Sequence, residues 1–226
     1  MKITRTEKKI QELKPAIIEN VSSKLVKIKE GTQDVAIAWK KMQDVSVKEI
    51  IKLLSEQLND SIINTPSSKS TYPDIRIENA EGLFAIDIKA NEDSKNPWFD
   101  MARLDTIFSE RINKYTEEWE FVIRFDSSNG KFIKAYFNLF REVVGVREEC
   151  NGVKYRPYDG KIRPKTWEDF DNNIIHWKTK ESFYKGVENS LKFRWKTNIK
   201  KHLIPNLTKA EKEDFKKLFN DDDDQF

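Results

Sequence analysis

Two carboxylates and one lysine, Asp74, Asp87 and Lys89, are the residues of this sequence best placed to do chemistry. They sit in two runs that alternate polar and apolar, Asp74-Ile75-Arg76-Ile77-Glu78 and Leu83 to Ala90. Asn79-Ala80-Glu81-Gly82 separates the runs and reads as a turn, with Gly82 free to take a positive φ. Period-two alternation predicts a β-hairpin with one buried face. Placing the loop at Asn79 to Gly82 sets Glu78 opposite Leu83 and, counting back, Asp74 opposite Asp87. Asp74, Arg76, Asp87 and Lys89 then share one face, and Ile75, Ile77, Phe84, Ile86 and Ile88 share the other.

Two carboxylates facing each other on neighbouring strands repel, so something must offset them. One answer is bland: Lys89 and Arg76 balance the charge on a solvated face. The other is a metal. Oxygen ligands converging from adjacent strands suit Mg²⁺, or Mn²⁺, which uses one or two carboxylates and keeps several waters. Lys89 would stand beside that ion, orienting or deprotonating a water and stabilising charge on a phosphate.

These residues need elements to hold them. Val47, Ile50, Ile51, Leu54 and Leu58 recur at helical spacing, as do Ile10, Leu13, Ile17 and Val21, where Pro15 weakens or bends the helix. Ser61 to Thr65 reads as an edge strand and Ser67 to Thr71 as a polar loop. After the hairpin, Asn96-Pro97 reads as a helix start, continued by Leu104, Phe108, Arg111 and Tyr115. Glu120 to Asp126 and Phe132 to Phe137 are strands joined by the turn Asp126 to Gly130. Thr166 and Thr208 look like helix caps, Thr208 with Glu211 as a capping box. The order α-β-β-β-α-β predicts an α/β (α+β) fold with a mixed central sheet flanked by helices. We expect one domain over 1–226. It comprises a catalytic core near 45–138, a helical region 1–44, a basic C-terminal elaboration near 146–219, and an acidic tail 220–226.

Tyr72-Pro73-Asp74 and Ala85-Ile86-Asp87-Ile88-Lys89 resemble the PD-(D/E)xK nucleases, especially type II restriction endonucleases of the EcoRV kind. The resemblance spans about residues 45–126 and implies a restriction-endonuclease-like core. It implies that Asp74, Asp87 and the Ile88 carbonyl hold the metal and that Lys89 is the catalytic lysine. The family often adds an acid from the preceding helix. Glu49 is the first candidate and Glu56 the second, although both lie nearly opposite the apolar stripe. The resemblance further implies a homodimer acting on palindromic double-stranded DNA, blunt cutting, and a cognate DNA methyltransferase in a prokaryotic cytoplasm. Length, lysine content and motif resemble members that read long A·T palindromes.

The net charge of +3 hides its own distribution. Lys154, Arg156, Lys161, Arg163 and Lys165 meet only Asp159 in a turn-rich stretch, and the segment Lys178 to Lys201 is also strongly basic. Arg156, Tyr158, Lys161, Arg163 and Lys165 are candidate DNA contacts. Lys192, Arg194 and Lys196 are further candidates, on one face of an extended segment or spread round a helix; the alternative for each is a solvated surface. Asn151, Asn172 and Asn173 are available to read adenine. A lone Cys150 excludes an internal disulfide and a thiolate zinc site, and His176 and His202 read as structural. No apolar run approaches a membrane span and no signal segment is visible, so a soluble chain is expected. Three rivals stay open: a repair or junction-resolving nuclease of the same fold, a non-enzymatic DNA-binding protein, and an interaction protein with an acidic partner.

Overall fold

The computed structural model of the chain describes residues 3–28, 35–66, 72–94 and 96–218. The acidic tail, most of the loop after Pro66 and the link after Ile28 lie outside them. Two long helices come first, α1 (Arg5–Leu25) and α2 (Val35–Gln57). Strands β1 (Ile62–Asn64), β2 (Ile75–Asn79) and β3 (Gly82–Glu92) follow. A short helix α3 (Leu104–Thr106) runs into a π-turn, Ile107–Arg111, and then come β4 (Glu117–Phe125) and β5 (Phe132–Leu139). The C-terminal part holds α4 (Phe140–Val143), a two-strand ribbon of β6 (Val146–Arg147) and β7 (Gly152–Val153), and helices α5 (Trp167–Asp171), α6 (Lys180–Asn198) and α7 (Lys209–Leu218).

The sheet has order β1-β2-β3-β4-β5. Only β3 and β4 pair in parallel; the other neighbours are antiparallel. This is the mixed sheet flanked by helices that the alternation of elements implies. The β2–β3 register pairs Glu78 with Leu83 and Ile75 with Ile86, so the reading from sequence holds, with pairing extended by one step to Asn79 and Gly82. Gly82 has φ 132°, and a Cβ there would come within 2.0 Å of the Thr116 hydroxyl, so the turn requires glycine.

One sheet face is a single apolar layer. Ile75, Ile77, Phe84, Ile86 and Ile88 are fully buried with Trp119, Phe121, Ile123 and Phe137 from the next strands. α1 supplies Ile10, Ile17, Val21 and Leu25, and α2 supplies Met42, Ile50, Leu54 and, just past its end, Leu58. Each such side chain contributes roughly 1.5–3 kcal/mol by leaving water. Pro15 leaves α1 unbroken because the hydrogen bond it forfeits lies on the exposed side. The α1 N-terminus is closed from outside: Glu81, at the hairpin tip, accepts the Arg5 and Thr6 amides at 3.1 and 2.7 Å. A carboxylate suits those otherwise unpaired N–H groups and the positive end of the helix.

The C-terminal part covers much of the opposite face. Val122 and Tyr136 pack on Trp167 and Phe170 of α5, and a further cluster joins Leu104, Ile107, Phe140, Tyr155, Trp177 and Phe183. Thr166 caps α5 in a reciprocal box with Asp169, and Thr208 pairs with Glu211, as their sequences suggested. The helix expected from Asn96-Pro97 begins only at Leu104. Trp98 and Phe99 lie outside any helix, and the Trp98 amide donates to the Asn91 side chain instead of opening a helical turn. Among the described residues, no helix is long and apolar enough to cross a membrane.

Candidate active site

Strand β2 stops pairing at Ile75, while β3 continues to Glu92. Past that point the free edge of β3 is completed by side chains. The Ile88 amide donates to Asp74 Oδ2 at 2.7 Å, and the Ile88 carbonyl accepts from Gln43 Nε2 of α2 at 2.7 Å. Residue Asp87, on the opposite facing of the pleat, is buried and ion-paired with Lys89 (Oδ2 to Nζ 2.5 Å). On β4, Glu120 stands in register with Asp87. Asp74, Asp87, Lys89 and Glu120 thus meet on one wall of a cleft of about 680 Å³, whose other walls include Trp39, Gln43, Tyr72, Arg111 and Lys114.

Burial and charge set the acidities here. Asp74 is pushed up to about 7, first by burial, then by the Asp87 charge and a hydrogen bond with Asp87; the Ile88 amide and Lys89 pull the other way. Glu120 is raised well above the usual carboxylate range by burial and by Asp87. Burial works against the Lys89 charge, but Asp87 and Glu120 override it and hold the lysine protonated above its ordinary range. A lysine so held is a hydrogen-bond donor at this wall.

The donor set fits a hard divalent ion. Asp74, Asp87 and the Ile88 carbonyl offer oxygen only, and a carbonyl that accepts one hydrogen bond keeps a second lone pair. Glu120 is 1% exposed, and its Oε2 has no hydrogen-bond partner. A buried carboxylate left so is costly unless a cation or donor meets it. Among the described residues, no three carboxylate, histidine or cysteine side chains gather into a complete metal cage. The fit is that of an ion held by two carboxylates, a carbonyl and water.

The Asp74 turn is itself clamped. Tyr72, two residues earlier, donates from its hydroxyl to Glu118 Oε1 at 2.8 Å and accepts from Arg111. Arg111 donates from Nε to the same Glu118 oxygen at 2.7 Å, and its guanidinium lies 4.0 Å over the Tyr72 ring and 4.4 Å over Phe140. The π-turn therefore anchors the approach to Asp74 through a satisfied, largely buried network.

Several expected site residues lie elsewhere. Neither Glu49 nor Glu56 lines the cleft: Glu49 is half-buried and Glu56 exposed, both away from the face that α2 turns to β3. α2 presents Gln43 there, and the extra acid comes from β4 as Glu120. Sequence reading missed both. The signal for Glu120 was an acid set directly against the apolar run Phe121 to Ile123, but its register to Asp87 depends on a parallel crossover.

In the basic stretch, the structure removes Lys165 and pairs three other bases within the fold. Lys165 is 2% exposed and spends its ammonium on the Ile174 carbonyl at 2.6 Å, so it cannot reach a phosphate. Asp100 binds Arg163 at 2.5 Å, Lys161 at 2.6 Å and Arg156 at 3.2 Å, and Arg156 also pairs with Asp159. These three bases hold the loop together around one acid. Tyr158 is 75% exposed, under the Arg156 guanidinium. Lys192, Arg194 and Lys196 lie on helix α6, so the extended alternative is excluded. Lys192 pairs with Glu188, and Arg194 donates to the Pro157 carbonyl. None of Asn151, Asn172 and Asn173 lines the cleft. His176 meets Asp169 at 3.3 Å, a structural pairing as expected.

No family model matches the chain. No curated protein matches it either. Among solved structures, the chain is similar to one described as NlaIV restriction endonuclease, with 15% sequence identity and a TM-score of 0.47. The match covers 83% of this chain and 88% of that one. At that distance the likeness carries no argument about activity, which must rest on the cleft.

Proposed function

We propose that the chain is a type II restriction endonuclease that hydrolyses phosphodiester bonds in double-stranded DNA with Mg²⁺, or Mn²⁺, at a palindrome rich in A·T pairs, leaving blunt ends. The observation that carries this reading is the meeting of Asp74, Asp87 and Lys89 on one cleft wall, with the Ile88 carbonyl between them and a buried, unsatisfied Glu120 alongside. A plain charged hairpin in water would not bury Asp87 or raise Asp74 to about 7. Asp74, Asp87 and the Ile88 carbonyl would hold the ion; Gln43 fixes the Ile88 carbonyl and the Ile88 amide fixes Asp74. When bound, such an ion offsets charge on the phosphate and makes water a stronger acid. Lys89 donates to a non-bridging phosphate oxygen and stabilises the negative charge that grows there as water attacks. Its ion pair with Asp87 keeps the ammonium on the same wall as the proposed ligands. The homodimer, the partner methyltransferase and the cytoplasmic setting belong to the same proposal, since two-fold symmetry would match a palindrome.

The test is incubation with phage DNA and Mg²⁺, followed by sequencing of fragment ends. Discrete fragments with blunt, palindromic ends are expected; cutting confined to branches or mismatches would replace the reading with a structure-specific nuclease. Lys89→Ala should lose cleavage by at least about a hundredfold while DNA affinity, read by fluorescence anisotropy, stays within about threefold. Unchanged cleavage in that variant would sink the mechanism.

A further inference from the structure

A second cavity, of about 520 Å³, opens beside the cleft and shares Trp39, Gln43 and Lys89 with it. Trp98, Phe99, Phe125 and Ala90 give it walls that are mostly carbon, and Gln43, Lys89, Asn91, Glu92 and Asp100 add polar groups. Trp39 is 38% exposed and Trp98 59% exposed. Trp98 is not on a loose loop. Its amide donates to Asn91 Oδ1 at 3.0 Å, and its carbonyl accepts from Arg163. Two residues on, Asp100 is gripped by Arg156, Lys161 and Arg163. The basic loop expected to touch DNA instead fixes the frame that presents this indole to solvent at the mouth of an apolar cavity.

We infer that this cavity receives one unpaired nucleobase, from the nucleotide adjoining the phosphate that Lys89 faces. The inference rests on the nuclease reading above. Continuity supports it: a strand whose phosphate lies at Lys89 must place its neighbouring nucleoside against a wall that both spaces share. Chemistry supports it too. Every base has a π-face that stacks on tryptophan, and carbon-rich walls edged by polar side chains suit a flat heteroaromatic ring. A base inside an intact duplex cannot enter, so the occupant is an extruded or single-stranded base.

The experiment uses the full chain in EDTA, where no hydrolysis is expected, with a fluorescein-labelled mixed-sequence eight-nucleotide single strand and the matching blunt duplex as probes. Trp98→Ala should weaken single-strand binding by about tenfold or more, with a much smaller effect on the duplex. Trp98→Phe should keep most of the affinity, and Trp39→Ala should weaken the single strand in the same direction. Circular dichroism checks that each variant is folded. Equal losses on both probes, no loss on either, or a wild-type chain that ignores single strands would each overturn the inference. If phage DNA is still cut in that event, the nuclease reading stands. A wild-type chain that binds neither probe and cuts no DNA with Mg²⁺ removes the reading itself.

Discussion

Asp74 sits where burial, the Asp87 charge and an Asp87 hydrogen bond all favour its neutral form, and its pKa rises to about 7. The sign of the consequence follows. Between the ordinary aspartate value and about 7, the folded chain holds a proton that the unfolded chain does not, so this group favours folding at low pH. That contribution fades as pH rises through about 7. A divalent ion must displace the same proton. Mn²⁺ affinity, measured by calorimetry on the metal-free chain, should therefore rise by up to about tenfold per pH unit below neutrality and level off above it. Affinity independent of pH from 5 to 8 would contradict this. At the same scale, Glu120 and Glu49 are to be told apart. Glu120→Gln replaces an acid in register with Asp87 by a neutral amide that cannot ionise and should slow cleavage by about ten- to a hundredfold. Glu49→Ala, on a helix face away from the cleft, should leave the rate within about twofold. The reverse ranking would restore the helix acid that the family resemblance implied.

At the scale of elements, the site is assembled by three that are distant in sequence. β3 carries Asp87 and Lys89, the residue before β2 contributes Asp74, and α2 reaches across 45 residues of sequence to fix the Ile88 carbonyl through Gln43. The loop 154–165 has a comparable structural duty, since Asp100 gathers three of its bases. Burial works against the Asp100 charge, but Lys161, Arg163 and Arg156 hold its carboxyl below the usual range. A depressed carboxylate stabilises the fold above its unfolded value and loses that contribution as pH falls through its folded value. Asp100→Asn should accordingly lower stability at pH 7, by about 0.5–1.5 kcal/mol once solvent screening of this partly exposed carboxylate is counted. The difference from wild type, followed by urea denaturation, should shrink below about pH 4. A constant difference across that range would mean the pairing is not the cause.

At the scale of the whole molecule, the proposed activity has one cleft cut one strand, so a blunt double-strand cut would need two clefts related by symmetry. Sedimentation equilibrium should give a mass twice that of the 26.7 kDa chain, at least with DNA bound. A monomer that nonetheless leaves discrete double-strand ends would require a different account of palindrome reading. The N-terminal helices serve this scale as well. They close the apolar face of the sheet, so the charged face is the one left to form the cleft.

The sequence by itself determined the hairpin. Strict alternation allows one register in which all the isoleucines face one way, and that register brings Asp74 to Asp87 and puts Lys89 beside them. It also determined the order of core elements and the caps at Thr166 and Thr208, because periodicity and capping act over a few residues. Only the tertiary structure decided who joins the hairpin. The partners of Asp87 across β4 depend on a parallel crossover, and the choice of Gln43 over Glu49 depends on how α2 lies against the β3 edge. The fate of the basic stretch was equally non-local. A lysine reads as solvent-exposed until a carbonyl such as that of Ile174 meets it in the interior, and three bases read as a DNA patch until Asp100 gathers them. Charge pattern records how many charges a segment carries. Which of them remain for a ligand is settled by the long-range contacts that satisfy the rest.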